Sequence, residues 1–255
     1  MKFVFPFLLC AAALHGSDSD PAALAAQGLQ EFRDHNSKAA EKDLDRALKK
    51  WQSQPGGPPP EFAVPAMVMA AILQGNAKYG DEERLLDRVQ KVYRAEAPGD
   101  GSDLALFLEL RSAALERSGN GDSAKDLKAR ALAIRDGLIT KQFGADPSPP
   151  PDQPRDTLRI GNVDRKPRLI YKVDPDYSEI ARLAKVQGTA VFAIVVDAAG
   201  MPSRVHLIRT VGFGLDEEGA AALMKWRFEP GIKDGKPVRV AATIEVNFRL
   251  LSKPR

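Results

Sequence analysis

VRVAATIEVNFRLL, residues 238–251, decides the fold of the C-terminal part of this chain. Val238, Val240, Ala242, Ile244, Val246, Phe248 and Leu250 fall on one face. Arg239, Ala241, Thr243, Glu245, Asn247 and Arg249 fall on the other. Seven apolar residues at period two predict a half-buried β-strand. A strand this regular needs a sheet along one side, and its other side raises the question of what lies there.

Working backwards, PDYSEIARLAKVQG (175–188) predicts a short amphipathic helix with Ile180, Leu183, Ala184 and Val186 inward, closed by Gly188. TAVFAIVVDAAGMPSRVHLIRTVG then predicts a strand over 190–196, a turn at 197–200 and a second strand over 204–211, a hairpin. GLDEEGAAALMKWRF starts a second helix near Asp216, with acidic residues in its first turn, where the helix dipole favours them. GIKDGKPV turns into the closing strand. The expectation is an α+β domain over 167–255, two helices on a three-stranded antiparallel sheet. Gly188 and Gly200 relieve backbone strain at a helix end and a turn, Trp226 and Phe228 cap the core, and Pro230 stops the second helix.

The run from 167 to 251 resembles the C-terminal domain of the TonB family, periplasmic proteins that connect the inner membrane to outer-membrane transporters. The resemblance rests on Pro175-x-Tyr177, Ala181-Arg182, Gln187-Gly188, Val195-x-Asp197-x-x-Gly200 and Leu215-Asp216. It continues through Lys225-Trp226-Arg227-Phe228-x-Pro230, Gly235-x-Pro237-Val238 and Ile244-x-Val246-x-Phe248-x-Leu250. It covers about a third of the chain. The family pattern Gln-Pro-x-Tyr-Pro stands here as DPDYS, 174–178. The resemblance implies that the last strand pairs with the sheet on one side and receives an extended peptide from a transporter's N-terminus on the other. The residues it implies for partner-peptide binding are Asp174, Pro175, Tyr177, Thr243, Ile244, Glu245, Val246, Asn247, Phe248 and Arg249. Strand addition draws affinity from backbone groups and selectivity from alternate side chains. Five or six new bonds at ~0.5–1.5 kcal/mol net each sum to a few kcal/mol before ordering costs. The alternatives are a charged border that resists aggregation, and a border that pairs with a second copy to give a scaffold or homodimer.

Residues 21–139 read as helical. QPGGPPP (54–60) and APGDG (97–101) cut the region into three helix pairs, with HNS, YGD and GNGD as the turns within pairs. Arg46-Ala47-Leu48, Arg88-Val89-Gln90 and Arg130-Ala131-Leu132 recur at 42 residues, and Gly28, Ala70 and Ser112 mark places where two helices cross closely. The pattern weakly resembles tetratricopeptide repeats, which implies a helical-repeat domain over 17–143 able to hold a peptide or protein. Trp51, Phe62, Tyr79, Tyr93 and Phe107 are expected in its core. Between the halves, residues 144–166 are assigned to a linker. Its proline-rich part, GADPSPPPDQPRD (144–156), spans about 40 Å if extended.

Lys2 and the apolar run FVFPFLLCAAAL (3–14) form a signal-peptide pattern, residues 1–16, with cleavage expected near Gly16. Twelve apolar residues fall short of the roughly 20 needed to span a bilayer as a helix. The periplasm is the expected compartment, an uncleaved inner-membrane anchor through 3–14 the alternative. A transporter-energising protein needs such an anchor and a long proline-rich span, so binding without pulling is the simpler expectation. Cys10 is the only cysteine, which leaves the mature chain without disulfide, thiol nucleophile or zinc site. Net charge is +3 overall, divided as −4 over 17–156 and +6 over 157–255, which suggests no nucleic-acid partner. The three histidines form no ligand cluster, GFGLDEEG lacks the dinucleotide spacing, and adjacent Glu217 and Glu218 point apart on a helix. No catalytic residue, cofactor or metal is expected.

Overall fold

The computed structural model describes residues 20–55, 58–93, 101–144 and 157–250. The leader at 1–16 and the proline-rich stretch at 145–156 lie outside the described residues. The chain divides into two compact units. One holds the residues up to 131 together with 179–186; the other holds 132–178 and the residues from 187 on.

The first unit consists of helix pairs: α1 (Pro21–Arg33) with α2 (Ser37–Gln52), α3 (Ala63–Gly75) with α4 (Tyr79–Tyr93), and α5 (Ser102–Arg117) with the first part of α6 (Gly121–Phe143). Local chemistry sets the boundaries. Asp20 caps α1 by accepting from the Ala22 and Ala23 amides at 3.3 Å, with Pro21 as the first helical residue. His35 and Ala77 take positive φ in the turns within the first two pairs, and Gly119 does so in the third. The small residues mark close crossings as expected: a Cβ on Gly28 would meet Leu44 at 2.8 Å, and Ser112 Oγ donates to the Ala124 carbonyl at 2.9 Å. α3 is apolar all round, AVPAMVMAAILQG, and nearly every residue in it is buried. Trp51 meets Phe62 edge-on at 6.1 Å, and both are buried with Phe107. Tyr79 departs from the expectation. It is exposed, its ring lying under the Arg117 guanidinium at 4.4 Å.

The helix expected over 175–188 shrinks to α7 (Glu179–Leu183). Pro175 precedes it outside any helix, and Lys185 at φ 54° ends it before Gly188 is reached. Residues 179–186 group with the first unit. Gln74 Nε2 donates to the Ala184 carbonyl at 3.3 Å, and a Cβ on Gly75 would come within 1.8 Å of the Leu183 oxygen. Gly188 in turn relieves no helix end; it opens a strand where a Cβ would press on Val211 at 3.3 Å.

The second unit is built on β3 (Gly188–Val196), β4 (Pro202–Arg209) and β7 (Lys236–Phe248). β7 pairs antiparallel with β3 without a break, from Gly188 opposite Phe248 to Val196 opposite Val240. Its alternation holds from Val240 on, with Val240, Val246 and Phe248 buried and Thr243, Glu245 and Asn247 exposed; Arg239, expected on the exposed face, is buried instead. The expected three-stranded sheet is larger, however. Two short strands join it, β1 (Thr157–Arg159), parallel to β7 at 239–241, and β6 (Gly231–Lys233), antiparallel to β7 at 236–238. β2 (Arg168–Tyr171) and β5 (Arg227–Glu229) form a separate ribbon. Residues 157–166, assigned to the linker, therefore belong to this unit, and Arg165 bridges to Ile232. Three residues of strand carry no readable period.

α8 (Leu215–Leu223) covers the sheet. Its Asp216 is fully buried and accepts from Thr210 Oγ1 and from the Val211 and Gly212 amides at 2.5–3.0 Å, so it organises the preceding turn. Trp226 and Phe228 are buried as expected, the indole donating to the Val173 carbonyl at 2.8 Å. The helix already ends at Leu223, however, and Phe228 lies on β5, so Pro230 follows a strand and does not stop the helix. Gly200, at φ +80°, sits where a Cβ would stand 1.9 Å from the Phe228 oxygen. Gly200→Ala is expected to cost about 2–5 kcal/mol, combining left-handed strain with overpacking. Gly235→Ala, at φ +75° with open space around it, should show only the strain, about 1–2 kcal/mol. Hydrogen exchange at the β3 amides measures both.

Candidate functional site

The sheet runs β1-β7-β3-β4, so its two long borders are the outer sides of β4 and β7. The β4 border is taken up at one point by α6. Residues of α6 from 132 on lie in the second unit, and Asp136 Oδ1 accepts the Leu207 amide of β4 at 2.8 Å. Thr140 Oγ1 donates to Asp136 at 3.3 Å and lies 3.2 Å from His206 Nδ1. Asp136 thus closes one amide that a strand edge otherwise offers to any passing chain. Arg135 holds this helix in place. It is completely buried and donates to Glu217 on α8 at 2.9 Å.

The β7 border is covered only at its start. β1 occupies 239–241, and because it runs parallel to β7, the residues that would continue alongside 242–248 are those after Arg159. These leave the sheet in a 3-10 turn, 160–162. Among the described residues no strand pairs with the outer side of β7 from 242 to 248.

Three hydrogen bonds show which backbone groups face that side. In an antiparallel ladder the N–H and C=O of one residue point the same way, and the direction alternates along the strand. The Thr189 carbonyl accepts from Arg209 and the Val195 carbonyl from Ser203, both on β4, so odd-numbered β3 residues turn toward β4. Their partners on β7, Asn247 and Ala241, therefore turn away from β3. The Leu250 amide, of opposite parity, reaches back to Gln187 beside β3 at 2.9 Å. Thr243, Glu245 and Asn247 thus present three N–H and three C=O groups at the free border.

The side chains follow the same alternation. Thr243, Glu245, Asn247 and Arg249 are exposed, Ile244 is half-buried, and Val246 and Phe248 are core. Glu245 pairs with Arg209 at 3.7 Å, and Asn247 Oδ1 accepts from Thr189 Oγ1 at 2.5 Å. Tyr177 is brought to the end of the strand, edge-on to Phe248 at 5.9 Å, and burial raises its hydroxyl pKa. Asp174 turns to Lys172 at 3.0 Å. Together with Pro175 it joins this group only through the chain that carries Tyr177. The signal for the β4 border lay in α6: Ala131, Arg135 and Ile139 recur every fourth residue and are all buried, and an arginine inside an apolar stripe demands a buried partner.

Residues 173–250 match the family model described as Gram-negative bacterial TonB protein C-terminal. The chain is 34% identical over 89 residues to Protein TonB of Vibrio cholerae serotype O1, an alignment covering 34% of this chain and 36% of that protein. The chain thus spans about a third of the length of this relative. The solution NMR structure of the Pseudomonas aeruginosa TonB C-terminal domain aligns with 38% of this chain and 96% of its own, at 23% identity and a TM-score of 0.31. β1, which covers the start of the β7 border, lies upstream of the matched segment. The motif resemblance and the family model agree on one segment: residues 173–250 match the C-terminal domain of the TonB family.

Proposed function

We propose that this chain is an exported, periplasmic TonB-family binding protein that takes an extended peptide of an outer-membrane TonB-dependent transporter onto the free border of β7. The contrast between the two sheet borders carries the reading. An α6 side chain, Asp136, takes up one outward amide of β4, while six backbone groups of Thr243, Glu245 and Asn247 have no neighbouring strand among the described residues. An added strand engages those groups, and the Thr243, Glu245 and Asn247 side chains flank it and select among partners. Tyr177, edge-on to Phe248, bounds the site at one end. The proposed role is binding, with no reaction catalysed, and the helical pairs serve as a second recruiting surface.

Amide exchange in the presence of a synthetic peptide from a transporter N-terminus tests the proposal. Protection should rise at Thr243, Glu245 and Asn247 and stay unchanged at their even-numbered neighbours, already bonded to β3. Protection spread evenly over the sheet, or confined to other residues, overturns it. Protection at the same three amides that grows with protein concentration and without peptide assigns the border to a second copy of the chain instead.

A further inference from the structure

The first unit carries a groove of about 660 Å³ that the β7 site does not involve. Its walls are α2 and α4, and its floor is apolar, formed by Leu48, Met69, Leu73 and Leu85. We propose that this groove binds an acidic peptide segment of a partner protein, at a site independent of strand addition. Charge complementarity selects that occupant. Three carboxylates line the groove, and each has a cation beside it: Asp45 with Lys49 at 2.7 Å, Glu41 with Lys78 at 3.9 Å, and Asp81 with Arg84.

Lys38, Lys42 and Arg88 also line the groove and have no ion pair or hydrogen bond among the described residues. Lys38 and Lys42 stand one turn apart on the α2 wall, and Arg88 lies on the α4 wall. The groove therefore carries three uncompensated positive charges, in a half of the chain whose net charge is −4 over 17–156. Exposed cations facing each other across a cleft repel one another and focus an attractive field on an incoming anion.

A peptide suits this pattern better than a continuous polyanion does. Glu41, Asp45 and Asp81 are interleaved with the cations. A nucleic-acid strand, with phosphates at fixed short intervals, would set some of them against these carboxylates. A peptide spaces its acidic residues and places apolar side chains on the leucine and methionine floor.

Fluorescence anisotropy of the full chain with a fluorescein-labelled dodecapeptide of repeated Glu-Glu-Leu provides the test. Saturable binding is expected, weakening as salt rises. The triple variant Lys38→Glu, Lys42→Glu, Arg88→Glu should lose about tenfold or more in affinity. All three residues are exposed, so the variant should keep its helical circular dichroism. Lys128→Glu, exposed on α6 and outside the groove, should bind like the wild type, as should Glu245→Pro, which alters only the β7 border. Absence of saturable binding, or equal affinity in the triple variant, overturns the proposal. Equal or tighter binding of a twelve-nucleotide oligothymidine assigns the groove to polyanions and overturns the peptide assignment.

Discussion

Glu245→Pro is expected to weaken binding of the transporter peptide by about tenfold to a hundredfold while the second unit stays folded. The Glu245 N–H and C=O point away from β3, so proline there removes no bond of the β3–β7 ladder. Proline is accepted at strand positions whose N–H faces solvent. An incoming strand, by contrast, loses a donor, leaves its own carbonyl unsatisfied and meets the pyrrolidine ring. One lost bond of ~0.5–1.5 kcal/mol net plus an orphaned acceptor at ~1–3 kcal/mol reaches that range, at ~1.4 kcal/mol per tenfold. Two comparisons isolate the backbone. Glu245→Ala removes only an exposed ion pair with Arg209, worth ~0–1 kcal/mol, and should leave affinity nearly unchanged. Val246→Pro should unfold the unit, because Val246 is buried opposite Ala190 and its amide serves the ladder. Calorimetry with circular dichroism on the three variants decides the matter. Equal losses in Glu245→Ala and Glu245→Pro would place recognition in the side chain and remove strand addition as the mechanism.

The period-two run at 238–250 and the continuous apolar strand at 190–196 made the central β3–β7 pair readable, because each carries enough residues to show its burial. Breakers such as QPGGPPP and GNGD did the same for the helix pairs. What escaped was set by distant partners. β1 is Thr157-Leu158-Arg159, three residues whose strand character comes wholly from the β7 backbone beside them. The helix expected over 175–188 had a sound amphipathic pattern, yet only 179–183 is helical, and its end lies against α3, where Gly75 admits the Leu183 carbonyl. The border itself was half readable. Sequence alternation separates the faces of β7, but only β1, the turn after it and the hydrogen bonds of Thr189 and Val195 tell which residues aim their amides outward.

Arg135→Ala should destabilise the second unit by about 3–5 kcal/mol. Arg135 is completely buried, and Glu217 Oε1 accepts from it at 2.9 Å while Glu217 Oε2 is buried without a hydrogen bond. Removing the guanidinium strands a carboxylate in the interior, and that stranded charge, more than the loss of a favourable pair, accounts for most of the effect. The paired change Arg135→Met with Glu217→Met should therefore recover most of the stability, since apolar residues of similar volume replace buried ion pairs at little cost. Urea unfolding of both variants supplies the comparison. The consequence for function runs through Asp136, the next residue, which closes the Leu207 amide on β4. Once α6 is loosened, β4 offers a second unpaired border, and Arg135→Ala should associate with itself at concentrations where the wild type and the double-methionine variant remain monomeric. Peptide affinity at β7, measured on the folded fraction, should stay the same. A loss below about 1 kcal/mol for Arg135→Ala, or no new association, would show that α6 does not guard β4, and the difference between the two borders would then carry no information about which one is meant for a partner.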